Sequence, residues 1–246
     1  MARNFVRTSS QYLSNANAVV AAAPCSMACW FNTADLTNTK VWMGIEDAAL
    51  SHKFVMFSTG SDTILAGTGG TEGFSSAGSG TFSDNIWNHA CAVYASSSSR
   101  LAYLNGTPGA ANTATRTPAS LSQTLIGGEV SASFADGDMA EAAIWNVALS
   151  AADVVALATG VSPLLVQPDG LVAYWPLLGR HDPEIDRVGG FNMTLNAAPI
   201  AAAHPRVFMP SSGLVVPAHA AAAAGRIMGG MVGRGGLVGI GGGMVG

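Results

Sequence analysis

The sequence predicts an all-β protein, an antiparallel two-sheet jelly-roll sandwich with one short helix and an extended Gly-rich C-terminal arm. The first observation is a series of short apolar segments, which recur through residues 1–179 between turn-forming residues. The second is a stretch at residues 150–160 with helical periodicity and a capping residue. The third is glycine at every third position from 230 to 242, in a tail that cannot build its own core. Sequential antiparallel strands at this spacing are typical of jelly rolls.

The N-terminal part of the chain contains five predicted strands followed by a predicted loop. The strands are residues 5–20, 25–31, 41–45, 53–57 and 63–67. The last two form a hairpin across residues 59–62, where Gly60 permits a positive φ. Residues 67–83 are rich in Gly and Ser and show no periodicity, which predicts a loop.

A second predicted hairpin spans residues 87–105. Asn105-Gly106 at its end is a strong turn signal, because both residues tolerate a positive φ. Residues 121–130 are a further predicted strand, in which two consecutive glycines predict a bulge.

Residues 134–160 form a predicted strand, turn and helix around which the sandwich is arranged. Strict alternation places Met139 and Trp145 on one face of the strand, and Ala142 and Ile144 on the other. Both faces are mostly apolar, which suits a strand inside a two-layer sandwich. The last strand of the predicted sandwich then follows at residues 171–177.

The predicted helix has a complete set of start and stop residues. Ser150 stands at the N-cap, where its hydroxyl can accept from the backbone N–H of Asp153. The Asp153 carboxylate lies in the first turn, where the helix dipole favours a negative charge. Val154 and Leu157 supply an apolar stripe, and Gly160 is suited to ending the helix.

Two motifs carry a resemblance to a known family. One is F-x-D-G-x-[MI]-A-E-x-x-[IL]-[WY]-N-x-A-L-S at residues 134–150. The other is W-x-H-x-x-x-V-Y followed by R-x-x-Y-x-N-G, at residues 87–106. With these motifs, residues 5–177 resemble the laminin-G-like, concanavalin A-like lectin/glucanase superfamily of jelly rolls. Residues 170–184 also resemble the ending of versions found in bacteriophage virion proteins.

The resemblance implies sugar binding, the usual activity of the family, and calcium at loop tips in some members. A sugar site needs exposed aromatic rings with polar neighbours, and Trp42 and Trp87 are the candidate glycan contacts. Asp136-Gly137-Asp138 resembles part of a calcium loop but lacks a complete ligand set. We therefore expect an ordinary turn and no cofactor, with calcium as the alternative.

The sequence does not predict catalysis. Glucanases of the superfamily carry a strand motif E-[IL]-D-x-x-E, whose two carboxylates perform retaining hydrolysis. Glu184-Ile185-Asp186 begins this motif, but the second Glu is missing and the segment follows the last predicted strand. We expect a solvated acidic loop there. The five histidines form no zinc-binding pattern, and His89 matches a structural position of the family.

Three cysteines do not support a disulfide framework. Cys25 and Cys29 share one face of a predicted strand about 13 Å apart, which is too far for a bond. Cys91 lies on another predicted strand. We expect buried, reduced thiols, and the alternative is a thiol function or an intermolecular bond.

The charge of the chain is low and unevenly distributed. Only 11% of the residues are charged, and all 15 acidic residues precede Arg187. The positions after Asp186 hold four basic residues and no acid: Arg187, Arg206, Arg226 and Arg234. A basic tail on an acidic body predicts docking to a neighbouring acidic protein surface. Four dispersed arginines are too few for nucleic acid, which takes several clustered phosphate contacts.

Three regions are predicted along the chain. Residues 1–179 form the laminin-G-like jelly roll, residues 180–225 an Ala/Pro-rich extended segment, and residues 226–246 a Gly-rich C-terminal arm. The arm is either disordered or becomes ordered against neighbouring subunits, since glycine allows close backbone approach. Its predicted partner-binding residues are Arg226, Met228, Met231, Arg234, Leu237 and Ile240.

These observations predict a non-enzymatic structural protein of a bacteriophage virion, either a capsid decoration subunit or a tail accessory subunit. It would form a homo-oligomer anchored to neighbouring virion proteins through the arm. We expect synthesis in the host cytoplasm without a signal peptide, and no membrane span. The alternative is a lectin-like carbohydrate-binding module that contacts glycans on the host surface.

Overall fold

The computed structural model describes residues 1–197 and 199–208, and within them the chain forms fifteen β-strands and one α-helix. The elements are β1 (Ala2–Phe5), β2 (Tyr12–Asn15), β3 (Cys25–Asn32), β4 (Lys40–Glu46), β5 (Lys53–Ser58), β6 (Thr63–Gly70), β7 (Gly73–Thr81), β8 (Asn88–Ser96), β9 (Ser99–Leu104), β10 (Thr107–Pro108), β11 (Gln123–Ile126), β12 (Gly137–Trp145), α1 (Ala151–Ala158), β13 (Leu171–Trp175), β14 (Thr194–Asn196) and β15 (Ile200–Ala202). No helix among these described residues is long and apolar enough to cross a membrane.

The strands form two antiparallel sheets packed face to face. Sheet A has the order β10-β9-β8-β3-β12-β1-β15, with β13 also paired to β12. Sheet B has the order β14-β2-β11-β4-β5-β6-β7. The predicted all-β jelly-roll sandwich is therefore confirmed. The predicted central hairpin is also present as β8 and β9, and Asn105 and Gly106 after it have φ values of 50° and 82°.

Alternating side chains of both sheets build the main core. On β3 the inward residues are Cys25, Met27, Cys29 and Phe31, and Phe31 stacks on Trp42 of β4 with ring centroids 4.5 Å apart. The three cysteines are all free and buried, as predicted. Burial raises the pKa of each thiol, because a thiolate is poorly solvated in this core.

A second apolar layer covers the outer face of sheet A. Helix α1 packs there through Val154 and Leu157, against a cluster that includes Trp145. The predicted capping box is present: the Ser150 hydroxyl accepts from the Asp153 N–H at 3.2 Å, and the Ser150 N–H donates to the Asp153 carboxylate at 2.9 Å. Helix α1 thus closes one side of the sandwich, whereas the outer face of sheet B carries an open groove.

A bulge in β12 overturns the predicted alternation of that strand. Glu141 has a φ of 54°, and the pairing of β12 with β3 shifts between Ala140 and Ala143. The extra residue reverses the side to which later residues point. Met139 therefore shares the inner core with Ile144, while Trp145 joins the outer cluster, and the prediction that Met139 and Trp145 share a face was wrong.

The Gly/Ser-rich stretch predicted as a loop is an edge strand. Strand β7 pairs with β6 from Thr63↔Thr81 to Gly70↔Gly73, so the ladder of backbone hydrogen bonds holds it. The hairpin before it is confirmed, but its residue with a positive φ is Asp62 rather than Gly60. Glycine is required at position 60 for close approach, since a Cβ there would lie 2.5 Å from the carbonyl oxygen of Thr37.

Residues that follow position 179 add one strand to each sheet. Strand β14 pairs with β2 in sheet B, and β15 pairs with β1 in sheet A. The backbone of Phe208 then bonds to that of Gly160 and Ser162. Residues 180–197 and 199–208 thus contact both sheets and the segment after α1, while the division of the chain into three regions stays a prediction. The remainder of the predicted extended segment and the whole arm lie outside the described residues.

Candidate functional site

The outer face of sheet B carries a groove with a volume of about 530 Å³, here called the sheet B groove. Cross-strand register places Lys53, Val55 and Phe57 of β5 on this face, because their neighbours Ile45, Phe54 and Met56 point into the core. The groove is lined in part by Lys53, Val55, Phe57, Phe74 and Glu129.

Two aromatic rings form the apolar part of the groove. Phe57 on β5 and Phe74 on β7 lie 5.9 Å apart between ring centroids, and Phe74 is 48% exposed. Strand β6 runs between them and contributes Gly67, where a Cβ would lie 2.5 Å from the Phe74 ring and 2.9 Å from the Phe57 ring. The absence of a side chain at Gly67 therefore lets the two rings meet over β6. The exposed ring is a platform for an apolar ligand surface.

An ion pair forms the polar part of the groove. Lys53 Nζ lies 2.7 Å from Glu129 Oε1, and the two side chains are only 16% and 14% exposed. Glu129 follows Gly127 and Gly128 on the connection from β11 to β12, where its N–H donates to the carbonyl of Ala132 at 3.1 Å. This turn brings Glu129 over Lys53, which lies 76 residues earlier in the chain. Sequence patterns contain no sign of this contact.

A second carboxylate lies buried beside this pair. Glu46 on β4 is the cross-strand neighbour of Lys53, and neither of its carboxylate oxygens has a hydrogen-bond partner. Its side chain folds over Gly44, where a Cβ would lie 2.8 Å from Glu46 Oε1. Burial raises the pKa of Glu46 to about 7, and the charges of Glu129 and Asp47 add to the rise while Lys53 opposes it.

The two tryptophans predicted as glycan contacts occupy different environments. Trp42 is 0% exposed and lies inside the core against Phe31, so this candidate is not available to a glycan in the structure. The inward face of β4 takes Trp42 because the pairing of β4 with β5 is irregular between Val41 and Met43. Trp87 lies immediately before β8 with its side chain half-buried, and its role stays a prediction. The six predicted contacts of the arm lie outside the described residues.

The acidic segment after β13 is buried rather than solvated, which corrects the prediction. Asp186 accepts hydrogen bonds from the backbone N–H groups of Val188, Gly189 and Phe191 at 2.9–3.0 Å, and of Tyr174 at 2.8 Å. Glu184 is 3% exposed and pairs with Arg3. Both carboxylates therefore hold the loop and the N-terminal strand in place. The signal in the sequence was the density of small and turn-forming residues after Asp186, which supply free backbone donors.

The Asp136-Gly137-Asp138 segment contacts the start of the chain. Asp136 Oδ1 accepts from the backbone N–H of Arg7 at 3.2 Å, and Asp138 Oδ1 accepts from the Asn4 amide at 2.8 Å. Within residues 1–197 and 199–208 there is no group of three or more His, Cys, Asp or Glu side chains placed to hold a metal ion. The calcium alternative therefore has no such cluster to support it in the described part of the chain.

His89 is buried on β8, where its side chain packs against an aromatic ring. Its ring lies edge-on to the Trp30 ring with centroids 5.3 Å apart, and burial lowers its pKa to about 3. The imidazole is thus neutral at ordinary pH, which agrees with a structural position.

Two antiparallel sheets, a helix against one of them and an open groove on the other define a lectin-type sandwich. Residues 7–155 match the family model of the concanavalin A-like lectin/glucanases superfamily, and the chain belongs to this family. No curated protein sequence matches the chain.

One solved structure supports the fold with a TM-score above 0.5, and two others are similar at lower scores. A Bacteroides ovatus protein assigned a carbohydrate-binding role is 20% identical, with a TM-score of 0.58 over 81% of this chain and 61% of its own length. The heptameric SAP-like pentraxin of Limulus polyphemus is 14% identical, with a TM-score of 0.49 over 60% of this chain and 75% of its own. Domains LG4-5 of mouse laminin α1 are 13% identical, with a TM-score of 0.47 over 58% of this chain and 40% of that chain. At these identities the likeness concerns the fold, and this chain spans less than two thirds of the Bacteroides protein.

Proposed function

We propose that this protein is a carbohydrate-binding module that holds a glycan in the sheet B groove. The observation that supports this function is the exposed Phe74 ring, packed against Phe57 and next to the Lys53–Glu129 ion pair. The groove combines a mostly apolar surface with few polar groups at a volume of about 530 Å³, which is the size and character of small-ligand sites. Family membership supports the same class of ligand.

Each part of the groove matches one part of a sugar ring. A pyranose has an apolar face of C–H groups, which packs against the exposed surface of an aromatic ring such as Phe74. Its hydroxyl groups can accept from the Lys53 ammonium and donate to the Glu129 carboxylate, whose Oε2 is not used by the ion pair. Hydrogen bonds to charged groups are the stronger ones, so this end of the groove sets the orientation of the sugar.

We propose binding without hydrolysis. Glycoside hydrolysis takes a pair of carboxyl groups on either side of the scissile bond. Among the residues that line the groove, Glu129 is the one with a carboxylate, and it is paired with Lys53. Glu46 is fully buried and cannot reach a bound sugar in this conformation.

Replacing Phe74 with alanine is expected to weaken glycan binding about tenfold or more, because truncating an aromatic anchor costs more than about 1.4 kcal/mol. The full chain is first screened on a glycan array, and the best ligand is then measured by calorimetry. Phe208→Ala is the matched control, since Phe208 is 70% exposed and outside the groove. Equal losses in both variants, or no binding by the wild type, would contradict the proposal.

A role in a bacteriophage virion, with the arm as an anchor, stays a second proposal. The acid-free C-terminal sequence and the low charge of the chain favour it. Truncation after Gly225 is expected to convert an oligomer into a monomer while circular dichroism keeps the β-sheet spectrum, and light scattering measures the mass. If the truncated chain keeps the mass of the full assembly, the arm is not the anchor.

A further inference from the structure

Negatively charged side chains outnumber positively charged ones around Lys53 in the sheet B groove. Lys53 is the one cation among the lining residues, and Glu129 neutralises it at 2.7 Å. Arg116 lies near the Phe74 end, where it donates to the carbonyl of Phe74 at 3.5 Å. Glu72 is close enough to Arg116 for their charges to interact. The cation inside the groove is therefore already paired with a carboxylate.

Glu46 adds a buried carboxylate beside the groove. It lies on the same face of sheet B as Lys53, and no described hydrogen-bond donor satisfies its oxygens. A hydrogen-bond donor would offset part of the negative charge of Glu46. Because neither oxygen has such a donor, the electric field of the carboxylate acts on its surroundings at full strength. Because the Glu46 side chain is buried, salt and water screen its charge only weakly.

We propose that the groove accepts uncharged and amino-bearing glycans and excludes acidic ones, and that Glu46 sets this selectivity from its buried position beside the Lys53–Glu129 pair. This inference rests on the proposed function. A sugar carboxylate that accepts from Lys53 would lie close to the carboxylates of Glu129 and Glu46, and both would repel it. A neutral sugar forms hydrogen bonds with the intact ion pair, and no charge repulsion reduces its affinity. Like charges brought close together repel each other, and this repulsion lowers the affinity for an unwanted ligand.

The groups that face Glu46 from each packed element support this assignment. Strand β5 contributes Lys53, strand β11 contributes the neutral Gln123, and the β11–β12 connection contributes Glu129. The β4–β5 loop contributes Asp47, whose carboxylate accepts from the backbone N–H groups of Ser51 and His52. His52 itself accepts at Nδ1 from the N–H of Ala119. One cation therefore faces three carboxylates.

The protonation state of Glu46 makes the selectivity for neutral over acidic glycans depend on pH. Burial raises its pKa to about 7, so the carboxyl group is mostly neutral at pH 6 and mostly charged at pH 8. A glycan with a uronic acid keeps its own charge throughout this range. Rejection of the acidic glycan is therefore expected to be stronger at pH 8 than at pH 6.

The test uses the full chain and two probes that differ only in charge. One probe is the neutral oligosaccharide that binds best on an array, and the other is the same compound with its primary alcohol oxidised to a carboxylate. At pH 8 we expect the acidic probe to bind at least about tenfold more weakly. Glu46→Gln is expected to reduce this ratio severalfold and to remove its dependence on pH, while the affinity for the neutral probe is kept.

The outcomes separate the two proposals. If no glycan binds, the proposed function is wrong and the inference falls with it. If the neutral probe binds and the acidic probe binds equally or better, the selectivity is wrong while the proposed function stands. If the wild type discriminates but Glu46→Gln keeps both the ratio and its pH profile, Glu46 is not its source.

Discussion

Replacing Arg3 with methionine is expected to lower the free energy of unfolding by about 3–5 kcal/mol, because it leaves the buried Glu184 carboxylate without its cation. The Arg3 side chain is 1% exposed, and its Nε lies 2.7 Å from Glu184 Oε2. It also donates to the carbonyl oxygens of Pro199 and His181. One side chain thus joins strand β1 to the segment that carries β15. Chemical denaturation followed by circular dichroism measures the loss.

Two variants make this prediction specific. Arg7→Met removes the same type of side chain four residues later, where it lies 3.9 Å from Asp35 and is 40% exposed. We expect a loss below about 1 kcal/mol there, as for exposed ion pairs. In Arg3→Met/Glu184→Met both charges are gone. The double variant is therefore expected to lose less unfolding free energy than the two single variants lose when their losses are added. Equal losses for Arg3→Met and Arg7→Met would show that the buried pair is not a main contributor.

Replacing Glu46 with glutamine is expected to raise the free energy of unfolding at pH 8 by about 3 kcal/mol, following the conversion of a pKa shift to free energy. The pKa of Glu46 rises from its ordinary value of 4.5 to about 7 in the folded protein. Between these values the folded state keeps a proton that the unfolded state releases. The stability of the wild type therefore falls as the pH rises through this range, and this loss is complete above pH 7. Glutamine mimics the protonated group at every pH.

Thermal unfolding measured from pH 4 to pH 8 tests this directly. The two proteins are expected to have similar melting temperatures at pH 4 and to diverge as the pH rises, with the variant several degrees more stable at pH 8. Asp84→Asn changes an exposed carboxylate and is expected to leave the shape of the profile unchanged. A constant difference between wild type and Glu46→Gln at all pH values would contradict a role for the proton.

Features that depend on neighbouring residues in the chain were predictable. The capping box of α1 joins Ser150 and Asp153, and the turn after β9 needs only Asn105 and Gly106. Motif resemblance over the central hairpin and residues 134–150 predicted the fold class, which the two sheets confirm. Local hydrogen bonds and steric limits on φ act over a few residues, so a linear pattern records them.

Features that depend on pairing between distant strands were not predictable. Strand β7 is rich in Gly and Ser and has no periodicity, and only its ladder with β6 makes it a strand. The bulge at Glu141 moves Trp145 to the other face of β12, and burial takes Trp42 out of reach of any glycan. In each case the outcome depends on the register between strands, which composition does not encode.

The sequence by itself determined the all-β sandwich, the capped helix and the location of the main turns, because alternation, capping and turn chemistry are local properties. Tertiary structure decided where a ligand can bind. Phe57 and Phe74 meet only because β6 places Gly67 between them, and Lys53 meets Glu129 only through the connection after β11. The pairing of β4 with β5 places the buried Glu46 beside that ion pair. Contacts between strands far apart in the chain create the groove and its charge.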